Sequence, residues 1–195
     1  MRLFLIILAA AISLALSGLV IFLVPPHLQI GAVEPLLPGE TGLRAITSSP
    51  NSPVAIHYIN TSTQQLPTGK LAHTVFLIEW ADGDLFMIDA GMDSETAMEF
   101  GKLPEIALGA EPAVSHGTIV ELLGDGLKRV KAMAFTHLHI DHTQGTVPLC
   151  NAIDNRITLF QTTWQAELHN FNTEEGARIA ADSCLDHSTL QGEGI

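Results

Sequence analysis

Residues 3–24, LFLIILAAAISLALSGLVIFLV, form a run of 22 residues without a single charge. A helix of that length measures about 33 Å and can cross the hydrocarbon core of a bilayer. The run has no polar face with which to lie on a water-soluble core. Arg2 and the α-amine are the only charges ahead of it, and Pro25, Pro26, Glu34 and Glu40 follow. An uncleaved anchor and a cleaved signal both place such a run at an N-terminus. The small residues of SLA at 13–15 suit cleavage, but apolar residues continue for nine positions beyond, which favours the anchor. No cysteine follows LALSG, so a lipid-attached signal is not indicated. The positive end stays in the cytoplasm in either case. The remaining chain is therefore expected to be exported. It is membrane-anchored through residues 3–24, or secreted or periplasmic if residues 1–15 are removed.

The exported part is acidic. The 195 residues carry 9 Lys+Arg and 21 Asp+Glu, a formal charge of −12 with histidine neutral. No basic run of five or more appears, so a nucleic-acid backbone would be repelled, and no nucleic-acid partner is expected. Cys150 and Cys184 are the two cysteines. In an oxidising compartment they can pair, and elsewhere they are two separate buried thiols. Seven of the ten prolines fall in residues 25–70, with SSPNSP at 48–53. The expected organisation is an anchor or signal at 1–24, a linker at 25–53 and one domain at 54–195.

Within the domain, VAIHYI (54–59) suits a strand. TVFLIEW (74–80) and DLFMIDA (84–90) are rich in β-formers and separated by Ala81-Asp82-Gly83, a hairpin signal. Their nearly continuous apolar character predicts a sheet covered on both faces. DSETAMEF (93–100) reads as a short helix with an acidic first turn. SHGTIVELLGDG (115–126) reads as a helix with Ser115 as its cap. Strands follow at 130–136 and 157–162, and helical patterns at 162–171 and 173–185. A strand pair followed by alternating strands and helices gives an α/β architecture.

FTHLHIDHTQG, residues 135–145, places His137, His139, Asp141 and His142 within six positions, where the strand at 130–136 ends. Loops beyond strand ends are where layered α/β proteins gather ligands. In extended backbone His137 and His139 share a side, whereas the adjacent Asp141 and His142 diverge. The loop can thus serve two nearby ions, one through each pair. Imidazoles with a carboxylate suit zinc, and also iron or manganese. Three histidines and an aspartate in one short loop are expensive to desolvate without a ligand.

THLHIDHTQG resembles the H-x-H-x-D-H signature of the metallo-β-lactamase superfamily, and FMIDAGM at 86–92 resembles its earlier strand-end motif. The resemblance covers roughly residues 55–195. It implies an αββα sandwich of two similar halves with a metal site at one edge. It implies that His137 and His139 ligate a first ion, and Asp141 and His142 a second. Asp89 would hold the metal loop from outside the ligand set, and Gly91 and Gly145 would permit tight turns beside it. The family's further elements are a histidine in a G-H-T-x-G-H-like stretch, a bridging aspartate or cysteine, and a last histidine, and none of these motifs is present. His169, His187 and Cys184 are weak substitutes by their settings. The expected chain is therefore the first half of the sandwich plus part of the second.

Two zinc ions sharing a water would generate a hydroxide, oriented by Asp141, that attacks a small ester, lactone, thioester or β-lactam. The implied class is a metal-dependent hydrolase. The alternatives are a di-metal redox protein of the same fold and an inactive, membrane-anchored remnant.

Overall fold

Apolar residues on every side make α1 (Arg2–Gly31) a helix without a preferred face. Its segment Arg2–Ile21 has mean hydropathy 2.7 and is long and apolar enough to cross a membrane, by length and composition. Leu3, Phe4, Ile6 and Leu14 are all exposed. The helix runs past residue 24 through Pro25 and Pro26, into what reads as linker in the sequence. This computed structural model describes residues 2–31, 51–167, 169–181 and 184–190. The rest of the expected linker, residues 32–50, lies outside them. The chain divides into two units, and the second spans Ile46–Gln191.

The second unit is built on one sheet of seven strands. These are β1 (Ala55–Leu66), β2 (Gly69–Glu79), β3 (Leu85–Ile88), β4 (Val114–Ser115), β5 (Val130–Ala134), β6 (Ile157–Gln161) and β7 (Leu185–Thr189). Their order is β4-β1-β2-β3-β5-β6-β7. The β2–β3 pair is the hairpin read from the sequence, antiparallel with Leu77 opposite Met87. Gly83 forms its turn with φ 89°, a region open to glycine at little cost. From β3 onward the pairs β3–β5, β5–β6 and β6–β7 are parallel. Parallel neighbours need crossover connections, and the intervening helices supply them.

Those helices are α2 (Ser94–Leu108), α3 (Ile119–Leu123), a 3-10 turn (Gly124–Arg129), α4 (Ile140–Thr143), α5 (Thr146–Ala152), α6 (Thr163–Glu167) and α7 (Glu174–Ala181). α2 extends well beyond its sequence signal at 93–100, continuing through Pro104 to a left-handed Gly109. α3 starts at Thr118 rather than Ser115. The Thr118 and Glu121 side chains form a capping box, and Ser115 pairs in β4 instead.

Alternation along the strands puts Val75, Leu77, Met87, Met133 and Leu159 on one face, all buried with helical Ile119 and Leu149. The opposite face carries Ile56, Tyr58 and Phe76, each exposed. Here the structure departs from a sheet covered on both sides. Apolar residues on both faces of a strand fix its character, not what covers it. Cys150 and Cys184 are joined in a disulfide, with Cα atoms 5.2 Å apart. It ties α5 to the start of β7.

Candidate metal centre

β3 and β5 lie side by side and parallel, with Ile88 opposite Ala134, so their C-terminal ends open onto the same edge. Asp89 leaves β3 there and Thr136 leaves β5. Asp89 has φ 64°, the only positive value at a non-glycine among the described residues. That conformation costs of order 1–3 kcal/mol unless its surroundings hold it. Its backbone N–H donates to Ala134 O at 2.9 Å. The residue is buried, and its carboxylate accepts from the Thr136 backbone N–H at 2.8 Å and from Thr136 Oγ1 at 2.9 Å. It also accepts from His142 Nδ1 at 2.9 Å. A carboxylate acceptor assigns that ring proton to Nδ1.

His139 caps α4 in extended backbone, and its carbonyl accepts from the N–H of His142 and of Thr143. This single turn brings His142 back beneath His137. The ring centroids of His137 and His142 are 4.0 Å apart, and those of His137 and His139 are 4.5 Å apart. His137 Nδ1 lies 3.1 Å from Thr136 Oγ1, which leaves its Nε2 clear of that contact. Asp141 Oδ2 lies 3.3 Å from His142 Nε2 and 3.3 Å from His73 Nδ1.

Close backbone packing fixes the loop. Ala90 N–H donates to His142 O, and Gly145 N–H donates to Gly91 O, both at 2.8 Å. A Cβ at Gly145 would stand 2.0 Å from Ala90 O, and one at Gly176 in α7 would stand 2.0 Å from Leu138 O. Gly145 itself is right-handed helical, with φ −60°. It is glycine for close approach rather than for a tight turn. Gly91, at φ 67°, does need the freedom of glycine.

Electrostatics follow this geometry. Burial would raise the Asp141 carboxyl, but contacts with His142 and His73 outweigh it and hold the group well below the usual carboxylate range. Burial likewise works against a proton on His142, yet Asp141 and Asp89 together lift its pKa to about 9. His137 is pushed down, first by burial and then by its neighbours His142 and His139.

Two of the loop donors, Asp141 and His142, pair with each other. Among the described residues, no three His, Cys, Asp or Glu side chains already surround one ion-sized point. One atom nevertheless suits a cation. Asp141 Oδ1 is buried and accepts no hydrogen bond. A buried carboxylate oxygen without a partner is costly, and a divalent ion satisfies it. With three imidazoles close by, the donor chemistry fits zinc.

His187 and His169 stand elsewhere. His187 Nε2 lies 3.2 Å from Ala180 O, and exposed His169 lies 3.0 Å from Gln165 O. The disulfide removes Cys184 as a thiolate ligand. Sequence reasoning missed His73, Gln144 and Gly176. A lone histidine in a strand carries no motif, although its parity with Val75 and Leu77 puts it on the buried face.

A family model described as the metallo-beta-lactamase superfamily matches residues 68–187. No curated protein matches in sequence. Among solved structures, a probable metal-dependent hydrolase from Staphylococcus aureus is 16% identical, with TM-score 0.41, covering 75% of this chain and 63% of its own. A hydrolase of the beta-lactamase superfamily is 16% identical, with TM-score 0.36, covering 64% and 45%. The chain spans about three-fifths of the length of the first solved structures it matches.

Proposed function

This chain belongs to the metallo-beta-lactamase superfamily, and from that premise we propose that it is a metal-dependent hydrolase of a small ester, lactone or β-lactam. The observation that carries this reading is the gathering of His137, His139, Asp141 and His142 at the end of β5, with Asp141 Oδ1 buried and unpartnered. His137 and His139 would hold one divalent cation, and Asp141 and His142 a second. Zinc is the ion that the donors favour, with iron or manganese as the alternatives. Bound cations of this kind lower the pKa of water and polarise the bond under attack.

The chain's own residues prepare the place. Asp89 accepts a hydrogen bond from His142 Nδ1, which would leave Nε2, now beside Asp141, as the nitrogen available to an ion. Thr136 locks Asp89 by two donations and sits against His137. Asp141, whose carboxyl His142 and His73 hold below the usual carboxylate range, would orient the attacking water while binding its ion. No side chain needs to form a covalent intermediate.

We also read α1 as the anchor, with Arg2 on the cytoplasmic side and the domain outside. A carbonate wash that released the chain would remove the anchor reading. A mature N-terminus near residue 16 would show a cleaved signal instead.

The activity is tested on the full chain in detergent micelles. Zinc stoichiometry is measured together with turnover of a lactone, an aryl ester and a chromogenic β-lactam. Metal-dependent turnover that disappears in His139→Ala is the expected result. A chain that binds no zinc, or turns over equally without it, is not the hydrolase proposed.

A further inference from the structure

The family signature accounts for the loop but not for His73. This residue sits in β2, 7% exposed, on the strand that lies across β3 from the loop. Its ring meets Phe100 of α2 edge to face, with centroids 5.2 Å apart and planes at 87°. Its Nδ1 lies 3.3 Å from Asp141 Oδ2. A buried imidazole aimed at a buried carboxylate needs a reason, because both are costly to desolvate.

The backbone around His73 is specialised. β1 and β2 pair in regular register up to Asn60 opposite Thr74, then slip so that Ser62 faces His73. Thr61 is the extra residue of this bulge. Bulges re-aim neighbouring side chains and gather beside functional sites. Thr61, fully buried, donates from Oγ1 to His73 O at 3.3 Å and accepts from the Met92 N–H at 3.3 Å. A Cβ on Gly91 would stand 2.3 Å from that same Thr61 oxygen. The bulge therefore ties the His73 backbone to the segment that follows Asp89.

We infer that His73 is a positioning residue for Asp141: its Nδ1 restrains Oδ2, which leaves Oδ1 as the oxygen presented to the cation. The two oxygens of Asp141 are unequal. Oδ2 faces both His73 and His142, while Oδ1 has no partner. Without the restraint from β2, the carboxylate can rotate and spend either oxygen on His142. With it, one oxygen is taken and the other is fixed. The inference rests on the metal-dependent reading above, and it adds a restraint that comes from outside the loop.

The experiment compares His73→Asn and His73→Phe in the full chain in micelles. Asparagine puts an amide N–H near the place of Nδ1. Phenylalanine keeps the ring against Phe100 and removes the donor. Zinc affinity is read by competition with a chelating indicator, and cobalt(II) substitution reports ligand geometry through its visible spectrum. The expected result is about a tenfold or greater loss of affinity for one of two zinc equivalents in His73→Phe, with an altered cobalt spectrum. His73→Asn should stay within about threefold of the parent chain, because a group that only fills space would not be rescued by the smaller, polar residue. Should the phenyl ring fail to pack, as judged by circular dichroism, His73→Leu makes the same comparison. Parental zinc affinity in His73→Phe, or equal losses in the phenylalanine and asparagine variants, overturns the inference and leaves the hydrolase reading standing. A parent chain that binds neither zinc nor cobalt overturns both.

Discussion

Asp89 and Gly145 show two ways in which one residue fixes a site it does not form. Asp89 is held in left-handed backbone and accepts hydrogen bonds from Thr136 and His142. Asp89→Ala leaves the His142 ring without its acceptor and the loop without its tie to β3. Zinc affinity should fall by about 10–100-fold, the usual effect of losing such a support, and a chelator titration measures it. Gly145→Ala acts through space. Its Cβ would meet the Ala90 carbonyl at 2.0 Å, and a backbone carbonyl cannot step aside as a side chain can. The cost should be at least the 1–3 kcal/mol typical of overpacking, read as a lower melting temperature. A variant that melts with the parent would show that the loop can shift freely. The loop residues and Asp89 were legible because their spacing is local in sequence. His73 was not, because its partner Asp141 is 68 positions away and the pairing exists only once β2 is in the sheet.

α2 and α5 carry the element-scale consequences. Asp93 caps α2 by accepting from the Thr96 N–H at 2.8 Å, and Gln144, just after the metal loop, donates to its other oxygen at 2.6 Å. The helix start and the metal loop are therefore joined through one carboxylate. Burial would raise the Asp93 carboxyl, but the donors at Thr96 and Gln144 prevail and lower it. A lowered pKa in the folded state stabilises above the unfolded value, about 3.9 for aspartate. That stability disappears as pH falls through the folded value. Asp93→Ala should cost about 1 kcal/mol at neutral pH. The gap in melting temperature between parent and variant should narrow below about pH 4. A gap that is constant with pH would mean the carboxylate charge is not what caps the helix. The Cys150–Cys184 bond closes a separation of 34 residues. Reducing it, or Cys150→Ala, should remove about 3–4 kcal/mol in the chain-entropy model, measured by denaturant unfolding. The helix type of α2 was legible because apolar spacing repeats within it, whereas α5 and β7, short and without such a repeat, were not read from the sequence. Boundaries were less legible. β1 continues to Leu66 through Thr61, Ser62, Thr63 and Gln64, all polar and all buried. Gln64 Nε2 reaches Gly101 O and Glu111 O, partners that local pattern cannot foresee.

Among the described residues of the second unit, one sheet face is packed under helices and the other carries exposed and half-exposed apolar side chains. Registered pairing places Tyr58 opposite Phe76 and Ile56 opposite Ile78 on that second face. Phe86 and Phe160 stack beside them, with ring centroids 6.1 Å apart. Ile56 and Tyr58 are each 70% exposed, and Phe76 is 42% exposed. Contiguous apolar surface of this kind is a site of association. The acidic charge of −12 opposes that association only while it is unscreened. Self-association should therefore increase with salt, as repulsion is screened and apolar contact remains. Because α1 would also drive assembly, the comparison is made in detergent micelles with α1 present in every sample. Sedimentation and binding of an apolar-surface dye are followed for the parent chain and for Tyr58→Lys with Phe76→Lys. The double variant should stay monodisperse from low to high salt and bind less dye. Its melting temperature should change little, because these two side chains already face solvent. If parent and variant associate equally at every salt concentration, this face is not the sticky one, and the contact must be sought on the exposed apolar residues of α2, Leu103, Ile106 and Leu108.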